Sequence, residues 1–114
     1  MSTPKLKRGQ LYWARLDKRR PVLVISPDYR NERASDVIVI PGSTIVRDAP
    51  THVVLRRGEG GLRARTVLKC EQVTTLPHAD LEPRPLGSKL TPDRVAAVER
   101  AVLRAIGIPV PEPE

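Results

Sequence analysis

Residues 22–25 are four consecutive aliphatic residues with a proline close to each end, Pro21 and Pro27. A segment this short, rich in β-branched residues and bounded by prolines, is typical of a strand buried on both faces. Pro21 can begin such a strand, because its missing N–H does least harm there. Arg20 is therefore a charged side chain attached to the rim of a rigid element, which is a position suited to holding a phosphate.

Further short apolar segments, separated by turn residues, indicate a mainly β fold. Residues 27–35 are polar and are predicted to form a loop, whereas residues 58–61 contain three glycines and predict a turn. Strands separated by turn signals at intervals of about 8–15 residues favour a small barrel or rolled sheet. Trp13 is predicted to be the main aromatic residue of the core. The predicted strands cover residues 9–16, 22–26, 36–41, 51–56, 65–70 and 72–76.

The pattern changes to that of a helix near the end of the chain. Thr91 is suited to the N-cap, Pro92 to the first helical position and Gly107 to the C-terminal cap. Between them, apolar residues recur at near-helical spacing. The sequence thus predicts a flexible basic lead-in (residues 1–7), one domain (residues 8–108) and an extended tail rich in Pro and Glu (residues 109–114).

The charge of the chain favours an anionic partner. The 114 residues carry a net charge of +7 with a pI of about 10.3, and residues 1–33 hold nine Lys or Arg against three acids. Such a balance is typical of nucleic-acid binding, although an acidic protein would be attracted by the same field. The single Cys70 excludes an internal disulfide and a cysteine metal cluster. No apolar stretch is long enough to span a membrane, and no signal peptide is evident, so we expect a cytoplasmic protein.

Several other side chains are candidates for a site, each with an ordinary structural alternative. Ser43 and Thr44 end a predicted buried strand, where a hydroxyl can reach a phosphate oxygen or simply bond the turn backbone. Glu71 and Gln72 lie at a strand junction and can contact a nucleotide or be an exposed pair. Trp13 and Tyr12 can also stack on bases, but Trp13 is predicted to belong to the core, so Tyr29, in a polar basic loop, is the better candidate for stacking. Nothing in the spacing of His52 and His78 brings the two histidines together for acid–base catalysis.

Taken in order, these segments resemble the MazF/PemK family of toxin ribonucleases. The resemblance extends from Lys7 to about Ile108, and its strength lies in the order and spacing of the segments. The matching stretches are residues 7–13 (KRGQLYW), 20–26 (RPVLVIS), 37–41 (VIVIP), 47–48, 50–53 (PTHV), 67–68, 71–72 and 90–91.

The resemblance implies an SH3-like, strongly curved antiparallel sheet with a C-terminal helix, in a homodimer. It also implies metal- and cofactor-independent cleavage of single-stranded RNA (mRNA or tRNA) by attack of the 2′-OH on the adjacent phosphate, and inhibition by an acidic, MazE-like antitoxin. Arg20 matches the arginine that stabilises charge on the reacting phosphate, and the family hydroxyl falls on Ser43 or Thr44. The RNA-binding candidates are Lys18, Arg19, Tyr29, Arg30, Glu71 and Gln72.

Two departures from the family pattern concern this same site. Only three residues separate Leu16 from Arg20, where family members usually have a longer glycine-rich loop. Gly42-Ser43-Thr44 replaces a branched apolar residue followed by Thr. Two other functions remain open from the sequence: a non-enzymatic, CcdB-like toxin that binds DNA gyrase, and an SH3-type RNA-binding module without chemistry.

Overall fold

The computed structural model describes residues 5–111 as a curved antiparallel sheet with one long helix against it. Three short 3₁₀ turns, at Glu59–Gly61, Cys70–Gln72 and His78–Asp80, lie between strands. The elements in chain order are β1 Leu11–Arg15, β2 Arg19–Val24, α1 Asp28–Arg33, β3 Asp36–Ser43, β4 His52–Leu55, β5 Thr66–Lys69, β6 Thr74–Pro77, β7 Leu81–Pro85 and α2 Pro92–Ala105.

Strand β3 is the centre of the sheet. It pairs with β2 along one edge, while its other edge pairs first with β6, at residues 36–39, and then with β5, at residues 42–43. The strand order is β4-β5-β3-β2-β1-β7, with β6 beside β3, and every pairing is antiparallel. The predicted fold class, a mainly β curved sheet with a C-terminal helix, is confirmed.

Both faces of the central strands are buried, in two separate cores. Leu11, Leu23 and Ile40 lie on one face and pack with Val98 of α2. Their neighbours along the same strands, Tyr12, Val22, Val24 and Val39 among them, lie on the other face with Leu6, Leu76 and Leu81. The prediction of a strand buried on both faces is confirmed for Val22, Leu23 and Val24, which are at most 1% exposed. Ile25 follows the strand and is only partly buried.

Helix α2 begins where the sequence predicts. The Thr91 hydroxyl accepts a hydrogen bond from the Arg94 N–H (3.4 Å), and Pro92 opens the helix. Gly107 follows the helix with φ +82°, a conformation that favours glycine. No helix among residues 5–111 is both long and apolar enough to cross a membrane.

Two elements were not predicted from the sequence: α1, where a loop was expected, and β7. Residues 28–33 form α1 because tertiary contacts hold it: the Asn31 side chain is buried and donates to the carbonyl oxygens of Ser26 and Leu6. Residues 81–85 form β7 despite Pro83 and Pro85. This strand is at the edge of the sheet and pairs only with β1, which is where prolines are tolerated.

The prediction that Trp13 is the main core aromatic is wrong. Tyr12 is fully buried instead, and its hydroxyl accepts from the Lys7 N–H (3.0 Å), whereas Trp13 belongs to neither core. The predicted lead-in contains Leu6, which is only 2% exposed and packs in the second core. The ordered chain therefore begins before residue 8. Residues 1–4 of that lead-in and 112–114 of the predicted tail lie outside the described residues.

Candidate active site

A cleft of about 370 Å³ lies beside the N-terminal end of β2 and the C-terminal end of β3. Arg20 enters it from β2, and Ser43 enters it from β3. The β1–β2 hairpin brings Asp17 to the same place, because its short turn is closed by a hydrogen bond from the Leu16 N–H to the Lys18 carbonyl (3.1 Å). The cleft is lined by Leu16, Asp17, Arg20, Pro41, Gly42, Ser43, Lys69, Gln72 and Thr74.

Asp17 holds the Arg20 guanidinium in a two-point ion pair. Arg20 Nε and Nη2 donate to the two Asp17 oxygens at 2.8 and 2.9 Å. This hydrogen bonding lowers the pKa of Asp17 strongly and raises the pKa of Arg20, so both groups are charged at ordinary pH. Arg20 Nη1 has no hydrogen-bond partner among the described residues, and the Arg20 side chain is 23% exposed. The guanidinium is therefore oriented and still has N–H groups to offer a ligand.

Ser43 and Thr44 occupy different positions at the end of β3. Ser43 is 7% exposed, and its Oγ accepts from the Ile45 N–H (3.1 Å), which leaves the hydroxyl proton to donate elsewhere. Thr44 is exposed and lies beside a second cleft only. Ser43 is thus the hydroxyl that shares the first cleft with Arg20.

The structure also places the neighbours Glu71 and Gln72 in different surroundings. Gln72 lines the first cleft, together with Lys69. Glu71 instead contacts the Thr51 hydroxyl (3.1 Å) and His52 Nε2 (3.1 Å). The other His52 nitrogen lies 2.8 Å from the Arg47 carbonyl oxygen. This backbone contact, and then Glu71, raises the pKa of His52.

A second cleft, of about 290 Å³, adjoins the first and shares Arg20, Gly42 and Ser43 with it. Trp13 lines this cleft, and the Arg19 guanidinium lies over its indole ring, 4.2 Å from the centroid. Glu82 holds Arg19 there through two hydrogen bonds of 2.6 and 2.8 Å. The remaining lining residues are Lys18, Pro21, Thr44, Leu62, Arg63, Ala64 and Thr66.

Comparison with known proteins identifies the family. Residues 7–106, most of the chain, match the family described as PemK-like, MazF-like toxin of type II toxin-antitoxin system. The chain belongs to this family. Its predicted resemblance to MazF/PemK toxins is therefore confirmed.

Individual members of this family are similar over nearly their whole length. Endoribonuclease MazF3 of Mycobacterium tuberculosis is 34% identical over 97 residues, which cover 85% of this chain and 87% of that protein. The solved structure of M. tuberculosis toxin MazF-mt6 superposes with a TM-score of 0.80 at 30% identity, covering 89% of this chain and 99% of that one. A mycobacterial endoribonuclease solved in complex with its cognate antitoxin superposes with a TM-score of 0.80 at 28% identity, covering 93% and 99%.

Besides Glu71, two of the RNA-binding residues predicted for this MazF-like chain line neither cleft. Tyr29 and Arg30 belong to α1, which follows the opposite end of β2 from Arg20. Tyr29 is 69% exposed, and Arg30 Nη2 donates to Asp36 (2.7 Å). Neither residue lines the first or the second cleft. The structure therefore does not bring them together with Arg20, and their role in binding RNA stays a prediction.

Three charged residues at the clefts of this toxin were not singled out as site residues from the sequence. Lys69 ends β5 and reaches the first cleft through the pairing of β5 with β3. Asp17 lies in the hairpin turn, and Arg63 follows the glycine-rich turn. Asp17 was detectable in principle, because it is three residues before Arg20 in a tight turn. Lys69 and Arg63 carry no local signal, since their positions depend on strand pairing.

The arrangement can stabilise negative charge without any metal ligand. Arg20, Lys69 and the Ser43 hydroxyl surround one small space, and Asp17 is the single carboxylate residue in its lining. Over residues 5–111, no three His, Cys, Asp or Glu side chains are grouped so that they could hold a metal ion. The first cleft is therefore suited to bind an anion such as a phosphate diester.

Proposed function

We propose that this chain is the toxin of a toxin–antitoxin pair and cleaves single-stranded RNA, mRNA or tRNA, at selected sequences without a metal ion. The observation that carries the proposal is the first cleft, in which an oriented arginine and a buried hydroxyl line one space large enough for a phosphate group. Family membership and relatives named endoribonuclease support the same activity.

In the proposed reaction the ribose 2′-OH attacks the adjacent phosphorus and the 5′-oxygen leaves. The products are a 2′,3′-cyclic phosphate and a 5′-OH end. Arg20 donates hydrogen bonds to the nonbridging oxygens, where negative charge increases as the pentavalent phosphorane forms. Lys69 adds a second positive charge, and the Ser43 hydroxyl donates to the same group of oxygens.

Asp17 has a positioning role in this mechanism. Its pKa is far below the ordinary value for a carboxyl, because Arg20 hydrogen-bonds the charged form. A carboxylate with so low a pKa is a poor proton acceptor near neutral pH. Its contribution is to fix the Arg20 fork so that the remaining N–H groups point into the cleft.

The proposed partners are an acidic antitoxin and a second copy of the chain. The net charge of +7 and the cationic clefts favour an acidic segment that folds as it binds. A related mycobacterial endoribonuclease was solved with its cognate antitoxin, which supports the same kind of inhibition here. Homodimerisation and a cytoplasmic location are proposed on the same family ground.

The test is cleavage of a long mixed-sequence RNA in excess EDTA, followed by mapping of new 5′ ends. We expect discrete cuts, and a loss of about 10²–10³-fold in kcat for Arg20→Ala, the range seen when one preorganised donor to a developing charge is removed. Arg94→Ala is the matched control, because Arg94 makes a similar two-point pair with Glu59 (2.8 and 3.3 Å) but lines neither cleft. It should cleave at the wild-type rate.

Other results would favour the other functions. Salt-sensitive RNA binding with no cuts would indicate an RNA-binding module. Inhibition of DNA gyrase without RNA cleavage would indicate a CcdB-like toxin. Equal losses in Arg20→Ala and Arg94→Ala would contradict the specific role of Arg20.

A further inference from the structure

The second cleft has a different chemical character from the first. Its lining contains four cations, Lys18, Arg19, Arg20 and Arg63, and no carboxylate residue; Arg19 and Arg20 are each paired with a carboxylate outside the lining. It also contains an indole, together with the aliphatic side chains of Leu62 and Ala64. A cleft that combines positive charge with a flat apolar surface matches a nucleotide, which has an anionic phosphate and a flat base.

Trp13 is the one aromatic residue available for this purpose at either cleft. The chain has three aromatic residues in all. Tyr12 is fully buried in the second core, and Tyr29 is on α1 and lines neither cleft. Trp13 is only partly buried and belongs to neither core, so packing does not account for a large indole at this position.

The surroundings of Trp13 show that its ring accepts a flat stacked group. The Arg19 guanidinium already occupies a position 4.2 Å from the ring centroid. Arg19 and its partner Glu82 are both exposed, at 58% and 47%, so water and an incoming anion can compete for their two-point ion pair. An incoming base can replace the guanidinium over the indole, and the displaced Arg19 can then contact the phosphate backbone.

The two clefts are continuous at the residues proposed for chemistry. Arg20, Gly42 and Ser43 belong to the linings of both. A strand whose scissile phosphate lies at Arg20 therefore has its neighbouring nucleotide within the second cleft. The volume of about 290 Å³ is just below the usual range for small-ligand sites (~300–1,000 Å³), which suits one nucleotide rather than several.

We propose that Trp13, with Arg63 beside it, forms a base-binding subsite that holds the nucleotide adjacent to the scissile phosphate and so sets one position of the cleavage motif. This inference rests on the proposed ribonuclease function. The ligand is a single-stranded nucleic acid, recognised by stacking on the indole and by charge at Arg63.

One test uses the fluorescence of Trp13, which is the single tryptophan of the chain. Single-stranded DNA octamers of each base lack the 2′-OH and cannot be cleaved, so binding is measured apart from chemistry. We expect at least one octamer to quench the emission saturably. The same octamer should also quench the emission of the Arg20→Ala variant, because stacking on Trp13 does not require the Arg20 guanidinium. N-acetyltryptophanamide corrects for absorption by the DNA. Tight binding without any change in emission would refute the subsite.

The second test compares cleavage maps of wild type, Trp13→Phe and Trp13→Leu. Loss of stacking should lower kcat/KM of Trp13→Leu by roughly 5- to 150-fold and relax base preference at one position next to the cut. Trp13→Phe keeps an aromatic ring and should retain most of the kcat/KM and most of the base preference. A lower rate with an unchanged motif in a folded Trp13→Leu protein would overturn the proposal. If wild-type protein cleaves no RNA, the proposed function fails, whereas the fluorescence titration still decides the subsite.

Discussion

Gly42 provides the sharpest test of how the two clefts are built. A Cβ atom added at this position would lie 2.8 Å from Thr66 Cγ2, and 3.3 Å from both Pro21 Cγ and the Pro21 carbonyl oxygen. The first contact is shorter than carbon atoms tolerate, and the other two are tight. Gly42 therefore lets β3 approach Pro21 closely, and the residues next to these two, Ser43 and Arg20, line both clefts.

We expect Gly42→Ala to destabilise the protein by about 1–2 kcal/mol. Overpacking of a tight site costs about 1–3 kcal/mol, and the loss of glycine freedom in the unfolded chain offsets about 0.4–1 kcal/mol of that. Thr66→Ser removes the obstructing methyl group and costs about 1 kcal/mol by itself, because Thr66 is buried. It keeps the hydroxyl that donates to the Ala64 carbonyl (2.9 Å).

The double variant Gly42→Ala/Thr66→Ser tests whether contact with the Thr66 methyl group causes the destabilisation. If the two changes acted independently, their costs would add to about 2–3 kcal/mol. Because the new methyl would occupy the space of the removed one, we expect the double variant to lose only about 1 kcal/mol of unfolding free energy. It should also recover any cleavage activity that Gly42→Ala loses. Urea unfolding, with m-values compared, measures each cost.

Gly58→Ala is the control for these variants. Nothing lies within 4 Å of a Cβ atom at Gly58, but its φ is +97°. Gly58→Ala should therefore be destabilising through backbone strain, and Thr66→Ser should not relieve it. Additivity within about 0.3 kcal/mol for the Gly42–Thr66 pair would refute the packing argument.

Two further predictions concern titrating groups. The Arg47 carbonyl and Glu71 raise the pKa of His52 above its ordinary value of 6.5. The stabilisation that protonated His52 provides is therefore complete below pH 6.5, and it is lost as the pH rises through the raised pKa. The thermal midpoint of wild type should therefore fall more between pH 6 and 8 than that of His52→Asn, and parallel profiles would contradict this. Burial raises the pKa of the fully buried Cys70 to about 12. A thiol reagent at pH 8 should modify the native protein only through unfolding, with a rate that increases with urea; rapid modification without urea would disprove the burial.

The fold was largely predictable because its signals are local. Residues 22–25 are apolar and bounded by prolines, and the first three of them lie in β2 and are buried on both faces. Thr91, Pro92 and Gly107 mark the ends of α2 through hydrogen bonding and backbone geometry that involve only neighbouring residues. Helix α1 was not predictable from such signals, because its buried Asn31 depends on contacts with Ser26 and Leu6.

The candidate site was predictable only in part. Arg20 precedes an identifiable strand, so its attachment to a rigid element could be read from the sequence. The meeting of Arg20 with Lys69 and Gln72 could not, because it depends on the register in which β3 pairs with β2 and β5. The placement of Trp13 was predicted wrongly, since both faces of β1 are covered near Leu11 and Tyr12 and apolar character alone does not tell which aromatic is enclosed.

The sequence by itself determined six of the seven strand segments, the capped C-terminal helix, the strong positive charge and the place of Arg20 at the start of a buried strand. Each of these follows from a few adjacent residues or from composition. The tertiary structure alone decided which distant charged groups face one another, Glu82 with Arg19 and Glu71 with His52, whereas the hairpin turn brings Asp17 to Arg20. Those pairings require the hairpin turn and the paired strands, and they leave the indole of Trp13 beside the cleft rather than in the core.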